Sequence, residues 1–150
     1  MHFLHCSLAG SSYLKEIAIG FWRALPAPVA GARHFTELEC WQLANELKRA
    51  IYQVSEQPIV KRDTKYYEQI RDAAAGAPRT IAEGFARRTH ADFARFLDMA
   101  RASLTECQNH LLDGIDRGYI KRDECDGMVA LAKRACGAVA ALQRYLRGKR

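Results

Sequence analysis

Four stretches between Cys40 and Leu146 place small and apolar side chains at alternating intervals of three and four residues, and this alternation constrains the chain more than any other feature. At about 100° per residue, such spacing keeps all of these groups within one stripe of a helix. The first stretch carries Cys40, Ala44, Leu47, Ile51 and Val54, and the second Tyr67, Ile70, Ala74, Ala77, Ile81 and Gly84. Phe93, Leu97, Ala100, Leu104, Cys107 and Leu111 form the third; Met128, Ala132, Ala135, Val139, Leu142 and Leu146 form the fourth. A narrow stripe of this kind is the seam of helices packed side by side. Four of them with short connections fold most simply as an all-α, antiparallel up-down-up-down four-helix bundle.

Local signals set the expected ends of each helix. Thr36 with Glu39 reads as a capping box, in which each side chain satisfies a free backbone N–H at the start of the first helix, and Pro58 ends that helix. The second opens after Asp63, closes near Arg88 and contains Pro78, so a bend is expected at Gly76 to Pro78. Gly84 reads as a point of close helix approach. Thr89 with Asp92 caps the third helix, Gly114 and Gly118 dissolve it, and Asp123 caps the fourth.

Residues 1–34 differ from the rest. A short mixed apolar stretch, Leu14 to Leu25, leads into PAPVAGA, which cannot continue a helix. The segment reads as an N-terminal appendage, either unstructured or a short docked helix, before a bundle domain at 35–148. Lys15 and Glu16 interrupt the apolar stretch and no cationic cluster precedes it, so a secretory leader is not expected. All four seams lie downstream, so removal of residues 1–32 is expected to leave the helical circular dichroism intact.

Hydrophobic residues at 49% and charged residues at 27% exclude general disorder, and a formal net charge of +6 favours acidic partners. Cys6, Cys40, Cys107, Cys125 and Cys136 are scattered singly, with no CxxC pair, which points to a reduced cytoplasmic protein with no structural zinc. No run is long enough to span a bilayer. A di-iron bundle needs ExxH motifs that are absent, and Glu106 with His110 offers one ligand pair without a complement on another helix. Nucleotide-binding glycine motifs and Ser-His-Asp or Cys-His sets are also missing. The expectation is a chain with no catalytic residues, no metal and no cofactor, in which Glu83 pairs with an arginine or hydroxyl.

The segment PRTIAEGFARRTHADFARFLDMARASLTECQNHL resembles the central signature of the 23S rRNA-intervening-sequence protein family, also called the four helix bundle protein family. ECWQLANELKRAIY is similar to that family's first helix, YYEQIRDAAAGAP to its second and DRGYIKRDE to the turn into its fourth. Thr80 departs from the pattern, standing where the family generally has asparagine. The resemblance implies assembly as a homopentamer. It also extends to the accessory variability determinant proteins of diversity-generating retroelements, which implies a reverse transcriptase and RNA as partners.

In an up-down bundle the turn between the second and third helices meets the end of the fourth. Arg87, Arg88, Arg144, Arg147, Lys149 and Arg150, with Arg33, then gather at one pole. The opposite pole collects Lys61, Arg62, Lys65, Arg117, Lys121 and Arg122. Two readings of the first pole stand side by side: a binding site for RNA or DNA, and solvated helix ends whose cations complement the helix dipole. Leu38, Trp41 and Tyr52 lie to one side of the first seam, beyond what one core needs, and read as an oligomer interface. A purely structural scaffold for protein partners is the alternative function.

Overall fold

The computed structural model describes residues 31–148. Among them the chain forms five α-helices, one 3-10 turn and no strand. The turn, Phe35–Glu37, precedes α1 (Glu39–Ser55); α2 (Pro58–Arg62) is short; α3 (Thr64–Phe85), α4 (His90–Asp116) and α5 (Arg122–Gly148) are long. The result is a helical bundle in which α1 packs on α3 and α5, α3 on α4, and α4 on α5. All four seams converge on one core, in which Leu47, Ile51, Ile81, Leu97, Leu104 and Val139 are fully buried. No helix among the described residues is long and apolar enough to cross a membrane.

Two helix starts lie where the sequence places them. Asp63 Oδ1 accepts from the Tyr66 N–H at 3.1 Å, opening α3. Thr89 Oγ1 accepts from the Asp92 N–H at 3.1 Å, while its hydroxyl donates to Asp92 Oδ2 at 2.7 Å, opening α4. The first helix starts differently. Thr36 lies in the 3-10 turn with its Oγ1 2.8 Å from His34 Nδ1, and α1 begins at Glu39 after Leu38, with no side-chain cap. Leu38 consequently turns into the core, 2% exposed, and is corrected from interface to core residue. Asp123 falls in the first turn of α5 instead of capping it, where its charge still favours the helix dipole.

Three further expectations shift by small but physical margins. The chain leaves α1 at Ser55, and Pro58 starts α2 at a first-turn position where its missing N–H is not needed. Tyr66 is the buried member of the tyrosine pair and Tyr67 is half-buried. Gly114 does not end α4 but lies inside it, buried against Tyr66 and Ile120; Gly118, at φ 72°, takes the left-handed turn after the helix. Across Pro78, α3 is continuous, with the buried Thr80 hydroxyl donating to the Gly76 carbonyl at 2.7 Å.

Side-chain contacts link the long helices along their length. Tyr66 donates to the His110 carbonyl at 2.8 Å, Gly76 lies against Ser103, and Gly84 against Phe93 and Phe96. On the other side of α4, Cys125 approaches the Leu111 carbonyl and Gln143 reaches Ala94 and Asp98. Cys40, Cys107 and Cys125 are buried free thiols and Cys136 is half-buried. Burial pushes the Cys40 and Cys107 thiols up to about 12, well away from the reactive thiolate.

Candidate functional site

At one end of the bundle, α3 and α4 are joined by only four residues, Ala86 to Thr89, which include Arg87 and Arg88. Gly84 makes so tight a connection possible: a Cβ there would lie 2.7 Å from both Phe93 Cδ2 and Phe96 Cβ. The approach brings Phe96 beneath Arg87, whose guanidinium carbon stands 4.4 Å from the ring centroid. Arg87 Nη2 also donates to Glu83 Oε1 at 2.7 Å, the arginine partnership expected for Glu83. Cation–π contact and ion pair together hold this guanidinium in place.

The last turns of α5 come to the same end. Gln143 is buried, and its Nε2 donates to the Ala94 carbonyl at 3.0 Å and to Asp98 Oδ1 at 2.7 Å. Asp98 Oδ2 in turn accepts from Arg147 Nη2 at 3.4 Å. Arg144 and Arg88 are exposed and have no ion-pair partner among the described residues. Half of the cationic set is thus tied to carboxylates and half is not. Lys149 and Arg150 lie outside the described residues, and Arg33 is exposed near the start of the bundle, its backbone N–H bonded to Glu37.

Between these elements runs a groove of about 480 Å³. Arg87, Arg88, Thr89 and His90 line one part of it, Tyr145 and Leu146 another, with Phe85, Phe93, Gly31 and Ala32 completing the lining. Of the residues expected at this pole, Arg87 and Arg88 line the groove, and Arg144 and Arg147 do not. Phe85, Phe93 and Tyr145 were not among its expected residues. Tyr145 had a visible signal, an aromatic set inside the basic run QRYLR.

The opposite pole also mixes paired and unpaired cations. Arg117 bonds Asp113 Oδ2 at 2.8 Å and Asp63 Oδ2 at 3.1 Å, and Lys61 pairs with Glu56. The Tyr66 backbone N–H, with the Tyr119 hydroxyl and Arg117, holds the Asp63 carboxyl below its usual range. Arg117 and Lys61 are paired with carboxylates of the same chain, while Arg62, Lys65, Lys121 and Arg122 are exposed with no ion pair among the described residues.

Trp41 and Tyr52, expected at an interface, are half-buried by their own chain. Phe35 meets Trp41 edge-on at 5.3 Å, and the Arg71 guanidinium lies 3.9 Å over Tyr52. Arg71 also bonds Ser55 and Glu56 and approaches Tyr67. Among the described residues, the large apolar side chains left exposed are Ile59, Met99 and Leu112. Glu106 Oε1 and His110 Nε2 stand 3.8 Å apart, and no group of three metal-ligand residues occurs among the described residues.

Over residues 36–140 the sequence matches a family model described as 23S rRNA-intervening sequence protein. No curated protein matches the chain.

Proposed function

Because the chain belongs to the 23S rRNA-intervening sequence protein family, we propose that it is a non-enzymatic, cytoplasmic, oligomeric bundle that binds RNA or DNA without sequence preference through the Arg87, Arg88, Arg144 and Arg147 pole. The observation that carries this reading is the meeting of the α3–α4 connection with the end of α5 at one groove, with Arg88 in its lining and Arg144 nearby in α5 both without a carboxylate partner among the described residues. Phosphate contacts of this kind supply affinity without reading bases. A reverse transcriptase with its RNA is the partner class implied by the resemblance.

The fold on this reading is an antiparallel up-down-up-down four-helix bundle assembled as a homopentamer. Tyr66 at His110, Gly76 at Ser103 and Gly84 at Phe93 support opposite directions for α3 and α4. Gln143 at Ala94 and Cys125 at Leu111 support the same for α4 and α5. Met99 at 57% and Leu112 at 53% exposure are apolar surface that a subunit contact would cover. Light scattering on the purified protein is expected to give a mass several times that of one chain; a monomer at micromolar concentration would remove the oligomer from this reading.

A fluorescence-anisotropy titration with labelled RNA and DNA tests the pole. Binding is expected at low salt and to weaken steeply as salt rises, since each neutralised phosphate contributes roughly 0.9 to the slope of log affinity for a duplex. The Arg87→Glu/Arg88→Glu variant is expected to bind about tenfold more weakly or worse. Its stability should fall by no more than about 2 kcal/mol, since Arg88 is exposed and Arg87 gives up one exposed ion pair and one cation–π contact. Equal binding by the variant, or none by the wild type, would favour the scaffold reading. The pairing of Arg87 with Glu83 and Arg147 with Asp98 is what supports that alternative.

A further inference from the structure

Cations that only neutralise a duplex need no hollow between them, because stacked bases do not leave the helix and a convex basic surface meets its phosphates as well. Here Arg87 and Arg88 border a groove whose volume, about 480 Å³, falls within the roughly 300–1,000 Å³ of small-ligand sites. Its lining includes both charge and aromatic carbon: Arg87 and Arg88 from the connection, Phe85 from the end of α3 and Tyr145 from α5. Arg87 is held in position by Glu83 and the Phe96 face, while Arg88 has no ion-pair partner among the described residues.

A polyanion that fits such a lining carries a flat, apolar-faced group beside each charge, and single-stranded nucleic acid does so at every residue. Base-to-aromatic contact tolerates any sequence, because every base has a π-face. We infer that the groove is a single-nucleotide subsite: one unstacked base enters against Tyr145 and Phe85, and the phosphates flanking it meet Arg87 and Arg88. This rests on the nucleic-acid reading of the pole and narrows it to single strands in preference to duplexes. Both RNA and DNA strands satisfy it, since nothing in the lining selects a 2′-hydroxyl.

The test is anisotropy titration of the full chain with four labelled probes: oligouridylate, oligothymidylate, a duplex of the same length, and a strand of abasic sites. Wild type is expected to prefer both single strands to the duplex, and to bind the abasic strand about tenfold more weakly than oligothymidylate. Tyr145→Leu should weaken binding to the single strands by about tenfold and to the duplex by far less. Equal affinity for abasic strand and oligothymidylate overturns the inference without relying on any variant folding. So does a Tyr145→Leu effect of the same size on strand and duplex. If Arg87→Glu/Arg88→Glu still abolishes binding in those cases, the pole binds phosphates alone and only the base subsite fails. Absence of all binding by the wild type at low salt removes both.

Discussion

Replacing Gly84 by valine is expected to destabilise the bundle by about 3 kcal/mol, a fall in melting temperature of roughly 10 °C. The first added carbon alone meets Phe93 Cδ2 and Phe96 Cβ at 2.7 Å. Neither can yield cheaply. The Phe93 ring is buried and stands edge-on to Phe85 at 6.2 Å, and a Cβ moves only with its backbone, so α4 must lift away from α3. Gly137 is the internal control, since a Cβ there meets nothing within 4 Å. Gly137→Ala is expected to raise stability by about 0.5–1 kcal/mol through the backbone entropy that glycine loses in a helix. Urea denaturation of both variants decides the matter. A Gly84→Val protein as stable as wild type would mean that close helix approach is not the reason for glycine at this position.

At the far end of the bundle, Tyr66→Ala is expected to cost about 3–5 kcal/mol, the range for deleting a buried aromatic ring. Tyr66 is 2% exposed, meets the Tyr119 ring edge-on at 5.2 Å, and fills the space that Gly114 leaves open. Its hydroxyl donates to the His110 carbonyl at 2.8 Å, and burial raises the phenol well above its ordinary pKa, so it remains a donor throughout the physiological range. Tyr66→Phe keeps the ring and loses that bond, at about 1 kcal/mol. Denaturation midpoints for the two variants therefore separate packing from hydrogen bonding. Equal losses would show that the hydroxyl, and not the ring, ties α3 to α4.

Tyr66 also shows where reading from sequence runs out. A period of 3.6 residues tolerates either Tyr66 or Tyr67 in the seam. The choice is made by the Asp63 cap and by the gap at Gly114, which belongs to another helix. Gly114 and Gly118 look alike as helix breakers in sequence, yet only Gly118 adopts a positive φ; Gly114 is spent on side-chain clearance. Leu38 was placed by helical angle, but it precedes the helix, where that angle does not apply. The cap at Thr89, the helix start after Asp63 and the approach at Gly84 were legible because each depends on residues close in sequence or on the absence of a side chain. Arg87 and Arg88 were legible as a charged turn. Their neighbours in the groove were not, since Phe85 and Tyr145 meet only after the whole bundle has formed.

The buried thiols give the fold a set of internal clocks. Cys40 lies in α1, Cys107 in α4 and Cys125 in α5, each sealed within the core and held as the unreactive thiol. An alkylating reagent reaches such a sulfur only when the helix carrying it opens, so the labelling rate at each cysteine measures the free energy of one local opening. Cys136, half-buried on α5, supplies the fast reference for the same helix. Whether the helices of this chain part together or one at a time is thereby encoded in sulfur chemistry that the sequence already contains.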